Sequence, residues 1–185
     1  MTVKTPILLL GPVRTGKTTL AKLLASQLKF PHISLDQVRW RYYREIGYDA
    51  DLANQIRTRD GFLALVFYRQ LFDPYAVERV LTDYPQAVID FGAGVGPYEN
   101  REHFNRVQRL LEPIPNIFLI LPSPDINESL TVLRQRDTQP PADLHFDINA
   151  HFLHHPGYQA LAKHTIYNHA RTPAQSSTEI LELMK

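Results

Sequence analysis

Short, largely apolar runs recur along the chain, separated by longer stretches in which apolar residues return every third or fourth position. The runs are Ile7–Leu10, His32–Ser34, Ala87–Phe91, Ile117–Leu121 and a weaker Thr165–Tyr167. Runs of this length, bounded by turn residues, predict strands buried on both faces. Helical periodicity fills the intervals: Lys17–Leu28, Asp36–Ile46, Gly61–Leu81, Arg101–Leu111, Asn127–Arg136 and Thr178–Met184. Asp36 and Asp125 stand just past strand ends, where helix N-caps are expected. Strands alternating with helices predict an α/β fold, a parallel sheet with helices on both faces. In such sheets ligands gather at the carboxyl ends of the strands.

Composition changes this picture little. The chain has 185 residues, 44% hydrophobic and 21% charged, which suits one globular domain spanning residues 1–185. A formal net charge of +1 provides no strong field toward nucleic acid or an anionic membrane. The absence of cysteine excludes disulfides, thiolate catalysis and cysteine-ligated zinc. The apolar run near the N-terminus is too short to span a bilayer and lacks a signal peptide's shape, so a cytoplasmic monomer or dimer is expected.

The chemistry starts where the first strand ends. Gly11-Pro12-Val13-Arg14-Thr15-Gly16-Lys17-Thr18 matches G-x-x-x-x-G-K-[ST], after an apolar strand and at the start of a helix. Its glycines let backbone N–H groups curl around phosphate oxygens, and the helix N-terminus, with Thr19 in its first turn, adds donors. Lys17 is placed to reach the β- and γ-phosphates, and the Thr18 hydroxyl to coordinate Mg²⁺. No D-x-x-G and no N-K-x-D occurs, which favours ATP over a GTP switch.

Five of the eight glycines lie in this loop or in "FGAGVG", after the third strand. Such concentration predicts close backbone approach at Gly92, Ala93 and Gly94. Asp90-Phe91-Gly92 spells a protein-kinase metal triplet, but the chain has no H-R-D and uses a different phosphate loop. Asp90, ending an apolar strand, fits a metal-side carboxylate or a cap on the glycine loop, and both readings stay open.

Past the second strand, Asp36 shares a predicted helix face with Arg39, Trp40 and Tyr43 at i+3, i+4 and i+7. A carboxylate, a guanidinium and two rings on one face suit a small polar acceptor, the carboxylate orienting or deprotonating its hydroxyl. For Trp40 and Tyr43 alone, packing into the core is the simpler account.

Together the phosphate loop, the aspartate nineteen positions after its lysine, the second glycine loop and the arginine-bearing helix resemble shikimate kinase. The resemblance spans nearly the whole chain but is specific only at these points. It implies a P-loop NTPase three-layer sandwich, a five-stranded parallel sheet with helices on both faces, and a closing lid at about residues 134–150. It also implies ATP and Mg²⁺ at Lys17 and Thr18, an acceptor-hydroxyl role for Asp36, and a substrate loop at Gly92, Ala93 and Gly94. The chain departs from the family in several places. Ser34-Leu35-Asp36 replaces D-x-D, and Ala93 stands in the glycine triple. The first substrate arginine should fall near Leu65 or Val66, yet Arg69 is the nearest; His154 stands where the second belongs. Because histidine does not reproduce an arginine fork, an altered acceptor is expected.

Arg134 and Arg136 end the helix that enters the proline-broken segment Asp137–Asp147. A closing lid brings positive charge to the γ-phosphate and keeps water out, so these arginines are expected to serve the nucleotide. Arg171 and Pro173 lie in the loop that the resemblance places at adenine. His151 and His155, at i and i+4, could bind a metal on a helix, although no glutamate completes H-E-x-x-H. The resulting reading is a kinase transferring the γ-phosphoryl of ATP to a small-molecule hydroxyl. Two alternatives are an ATP-binding regulatory protein and a nucleoside- or RNA-end kinase, the latter needing "RWRYYR", Arg39–Arg44, as a basic-aromatic channel.

Overall fold

The computed structural model describes residues 5–137 and 147–184. Most of the predicted lid, with His145, lies outside the described residues. Five strands, β1 (Ile7–Leu10), β2 (His32–Ser34), β3 (Val88–Asp90), β4 (Ile117–Leu121) and β5 (His164–Tyr167), form one sheet. The order is β2–β3–β1–β4–β5, with every pairing parallel. Helices follow as α1 (Lys17–Leu28), α2 (Leu35–Glu45), α3 (Ala50–Gln70), α4 (Asp73–Asp83), α5 (Arg101–Leu111), α6 (Ile126–Arg136), α7 (Ile148–His154), α8 (Gly157–Leu161) and α9 (Pro173–Leu183).

The central strand shows why its residues are apolar without alternation. Ile7 and Leu9 pack with Leu20, Leu24 and Ile180 on the α1–α9 face. Leu8 and Leu10 pack on the other face with Leu35, Val77 and Val107 of α2, α4 and α5. A strand covered on both sides has no use for a polar position. None of the described helices is long and apolar enough to cross a membrane.

Several boundaries differ from the sequence reading. The helix over Gly61–Leu81 is two helices. Within α3 the chain kinks at Gly61, where φ is 88°, and α4 restarts at Asp73 with Pro74 in its first turn. Proline is tolerated there because the first-turn amides have no intrahelical acceptor. Asp36 is not an N-cap: Ser34 holds that place in extended conformation, and Asp36 sits inside the first turn, where its charge complements the helix dipole. Asp125 does cap α6, accepting from the Glu128 amide at 2.8 Å. The last helix begins earlier than Thr178, at Pro173, behind a capping box formed by Thr172 and Gln175.

Register decides what meets what. Leu9 and Ser34 both pair with Asp90, so β1, β2 and β3 end side by side. The phosphate-loop motif, Asp36 and the second glycine loop all leave the sheet at this edge. Beside β1 the order of strand addition reverses, which is where α/β sheets open a crevice.

Candidate active site

The loop Gly11–Thr18 turns through three residues with positive φ, Gly11 at 138°, Arg14 at 66° and Gly16 at 90°. A side chain on Gly11 would strike the carbonyl oxygen of Ile120, so the strand-to-loop turn requires glycine. Lys17 is buried and donates to the carbonyls of Gly11 at 2.7 Å and Pro12 at 2.6 Å. Burial lowers its pKa to about 8, partly offset by the charge of Asp90. Thr15 donates to the Pro12 carbonyl at 3.1 Å, whereas Val13, Arg14, Thr18 and Thr19 are exposed.

Three side chains from distant parts of the chain hold this loop. Asn168 donates to the Thr15 carbonyl at 2.7 Å. Asn149, buried at the start of α7, accepts from the Val13 amide at 2.9 Å. Arg136 approaches the Arg14 carbonyl at 3.4 Å and the Asn168 side-chain oxygen at 3.5 Å. Arg134 instead pairs with Asp147 at 2.8 Å and is largely exposed. Although burial raises the Asp147 pKa, hydrogen bonds from Ala150 and Arg134 hold that carboxyl below its ordinary range. Of the two arginines that end α6, Arg136 is the one at the phosphate loop. Sequence reasoning missed Asn149 and Asn168, because neither belongs to a local motif.

Asp90 is buried and meets the His32 Nε2 at 2.9 Å across the β2–β3 pair. Its observed side-chain partner is thus a neighbouring strand, a possibility the sequence reading did not contain. Arg171 pairs with Glu179. Pro173 occupies the first turn of α9.

The helix face predicted from Asp36 forms as the spacing requires. Asp36 and Arg39 make an ion pair in which the carboxylate is 61% exposed and the guanidinium side chain 8%. The pair lies over Gly92: a Cβ there would sit 2.7 Å from the Asp36 carboxyl carbon and closer still to the atoms that form the pair. Trp40 and Tyr43 stack edge to face at 5.6 Å. Tyr43 follows the simpler account, its ring fully buried among Tyr48 and Phe72. Its hydroxyl donates to Asp73 Oδ1.

Asp73 is the residue that sequence reasoning did not single out. It is 1% exposed, with Arg39 Nη1 at 3.7 Å. Burial raises its carboxyl pKa, opposed by Arg39, the Tyr43 hydroxyl, Arg69 and His103. Around it, Arg39 Nε, Arg69 Nε, Tyr98 OH and His103 Nδ1 are buried without a hydrogen-bond partner among the described residues. Leaving such a group unmet costs about 1–3 kcal/mol each, so a bound polar group or water would find ready partners in this cluster. Gly94 borders the same carboxylate, its would-be Cβ 3.7 Å from Asp73 Oδ2. The loop is clamped from outside by Gln70, which donates to the Pro97 carbonyl at 2.7 Å, and by Tyr158, which donates to the Ala93 carbonyl.

The remaining candidates do not join the cluster. His154 is exposed and turns its Nδ1 onto the Ala150 carbonyl at 2.8 Å. His151 and His155 have ring centroids 6.4 Å apart, and no group of three or more potential metal ligands occurs among the described residues. The Arg39–Arg44 segment offers no open basic stripe: Arg39, Tyr42 and Tyr43 are buried and Arg41 bridges to Asp83 at 2.9 Å.

A five-stranded parallel sheet of this order, with a G-x-x-x-x-G-K-T loop after its central strand, is the P-loop NTPase fold of the small kinases. A family model described as ATPase family associated with various cellular activities (AAA) matches residues 7–58. A solved shikimate kinase from Acinetobacter baumannii, in complex with shikimate, superposes with a TM-score of 0.63 at 18% identity, covering 97% of this chain and 92% of that one. The Aquifex aeolicus shikimate kinase gives 0.60 at 18% identity, over 96% and 95%. A gluconokinase from Sinorhizobium meliloti gives 0.57 at 16% identity, over 100% and 93%. Comparison with curated proteins gives no match.

Proposed function

We propose that the protein is an ATP-dependent kinase that moves the γ-phosphoryl group of ATP·Mg to a hydroxyl of a small molecule. The observation that carries this reading is the convergence at one sheet edge of a phosphate loop and an exposed carboxylate, Asp36, held by Arg39 over Gly92. The shared fold of the shikimate kinases and the gluconokinase supports it.

The residues fit ATP·Mg as a substrate. The loop's positive-φ backbone presents amides to phosphate oxygens, and Lys17, released from the Gly11 and Pro12 carbonyls, gains phosphate oxygens as stronger partners. Thr18 is exposed at the start of α1, where a metal on the phosphates would meet its hydroxyl, and buried Asp90 supplies negative charge behind it. Arg136 lies at the loop to stabilise charge on the transferring group, while Arg134 fixes the base of the lid through Asp147. Asp36 receives the acceptor hydroxyl and orients it in line with the γ-phosphorus, taking its proton as the new oxygen–phosphorus bond forms and ADP leaves. With a loose transition state, positioning and charge supply most of the acceleration. The acceptor site differs from that of the shikimate kinases: Arg69 comes from one turn further along α3, and no arginine stands at His154.

The test is ADP release by purified protein with Mg²⁺ and ATP across hydroxylated metabolites, nucleosides and shikimate, beside Lys17→Ala and Asp36→Asn. Release stimulated by one compound and lost in both variants supports the proposal. ATP binding with no compound stimulating turnover overturns it in favour of a regulatory nucleotide-binding role.

A further inference from the structure

The polar cluster beneath Asp36 specifies more about the acceptor than the presence of a hydroxyl. Its charges cancel. Arg39 lies between two carboxylates, paired with Asp36 on one side and 3.7 Å from Asp73 on the other. Arg69 stands in the same cluster, its guanidinium carbon 5.0 Å from the Trp40 ring, and its charge helps hold the Asp73 carboxyl down against the effect of burial. Two guanidinium groups and two carboxylates thus share the cluster, and these four charges balance.

The hydrogen-bonding inventory points the same way. Arg39 Nε and Arg69 Nε can only donate, and they are unmet; the Tyr98 hydroxyl and His103 Nδ1 are unmet beside them. The carboxylates of Asp36 and Asp73 can only accept when ionised. The glycine loop lines both, with Gly92 against Asp36 and Gly94 against Asp73. An acid group on the ligand would satisfy the donors but would bring a third negative charge to a balanced site. An ammonium group would satisfy the carboxylates and leave the donors empty. A hydroxyl does both, since its oxygen accepts from an unused N–H while its proton goes to a carboxylate.

We propose that the acceptor is a small neutral polyol, of the sugar or cyclic-polyol class. Hydroxyls on adjoining carbons are held between Asp73 and the unused donors of Arg69 and Tyr98, and another is presented to Asp36 for phosphorylation. This rests on the kinase reading above and narrows its acceptor.

The experiment uses matched pairs of the same carbon skeleton: hexitols, aldoses and cyclitols against the corresponding aldonic and ring carboxylic acids. ADP release and phosphorylated product are measured for the wild type, Asp73→Asn and Arg69→Met. The wild type is expected to show kcat/KM at least about tenfold higher on the neutral member. Asp73→Asn leaves one guanidinium unmatched and should shift that ratio toward the acid by about tenfold or more, with Asp73→Glu restoring the neutral preference. If Asp73→Asn does not fold, Arg69→Met carries the test, because it should shift the ratio further against the acid. Preference of the wild type for acids, or a ratio unmoved in the folded variants, overturns the neutral-acceptor inference while leaving the kinase intact. Failure of every hydroxyl compound to stimulate turnover overturns the kinase reading and this inference with it.

Discussion

Asn149 accepts a hydrogen bond from the Val13 amide at 2.9 Å, joining the first turn of α7 to the phosphate loop. The amide it engages belongs to the loop that would wrap the phosphates, so the side chain sits where ligand charge arrives. Asn149→Asp keeps an acceptor for the Val13 amide but adds a negative charge beside the phosphates. We expect thermal stability within about 1 kcal/mol of wild type and ATP affinity lowered about tenfold or more. Calorimetric titration with ATP·Mg, beside a melting curve, checks both; unchanged affinity would remove Asn149 from the nucleotide site.

Gly92 makes a different kind of prediction. A methyl group there meets the mobile ends of Asp36 and Arg39 rather than backbone, so the fold can yield by displacing the ion pair. Gly92→Ala should therefore retain ATP binding and lose little stability, while kcat falls about 100-fold because the acceptor carboxylate is misplaced by around an ångström. Should kcat survive in Gly92→Ala, Asp36 does not position the acceptor.

Much of this site was legible in the sequence, and the reason is locality. The phosphate loop is a contiguous motif, and the Asp36–Arg39 pair follows from helical spacing alone. Asp73 was not legible, because the apolar periodicity of Gly61–Leu81 runs straight through it and leaves it as one charged position within a helix. Its place in the cluster comes from α2 packing on α4, which carries Tyr43 and Arg39 to it. Asn149 and Asn168 were hidden for a related reason: each contacts the loop across well over a hundred residues, and nothing in a neutral side chain announces so distant a partner. The break between α3 and α4 was readable in Pro74, but the apolar periodicity continuing through Leu71 and Phe72 masked it.

The buried ammonium of Lys17 predicts a pH dependence with a definite sign. In the nucleotide-free protein its pKa is about 8, against 10.5 for the ordinary side chain. Between those values the unfolded chain holds a proton that the folded protein has lost, so this group's contribution favours folding as pH rises through the window. Nucleotide affinity runs the other way. Bound phosphates favour the charged ammonium, so above pH 8 binding must take up a proton and the association constant should fall, by up to about tenfold per pH unit. Titrations from pH 7 to 9.5 in buffers of different ionisation enthalpy measure the proton directly. An affinity flat across that range would mean that phosphates leave the Lys17 pKa where burial sets it.

Gly157 tests whether the glycine loop is held from behind. Its Cα faces the backbone of Gly96, and a Cβ there would lie 2.7 Å from the Gly96 carbonyl carbon, with the oxygen nearer still. Gly96 itself has φ near 139° and supports the Tyr158 ring, whose hydroxyl holds the Ala93 carbonyl. Unlike Gly92, this position meets main chain that cannot swing aside. Gly157→Ala should therefore cost about 1–3 kcal/mol through overpacking, lowering the melting temperature by several degrees for a chain of this size. Because the displaced segment carries Ala93 and Gly94 against Asp73, acceptor turnover should fall along with stability while ATP binding persists below the new melting temperature. Tyr158→Phe removes only the hydroxyl bond to Ala93 and keeps the packing against Gly96, so it should reduce turnover with a smaller loss of stability. If both variants melt lower yet turn over normally when folded, the α8 contact supports the fold alone and the glycine loop keeps its shape without it.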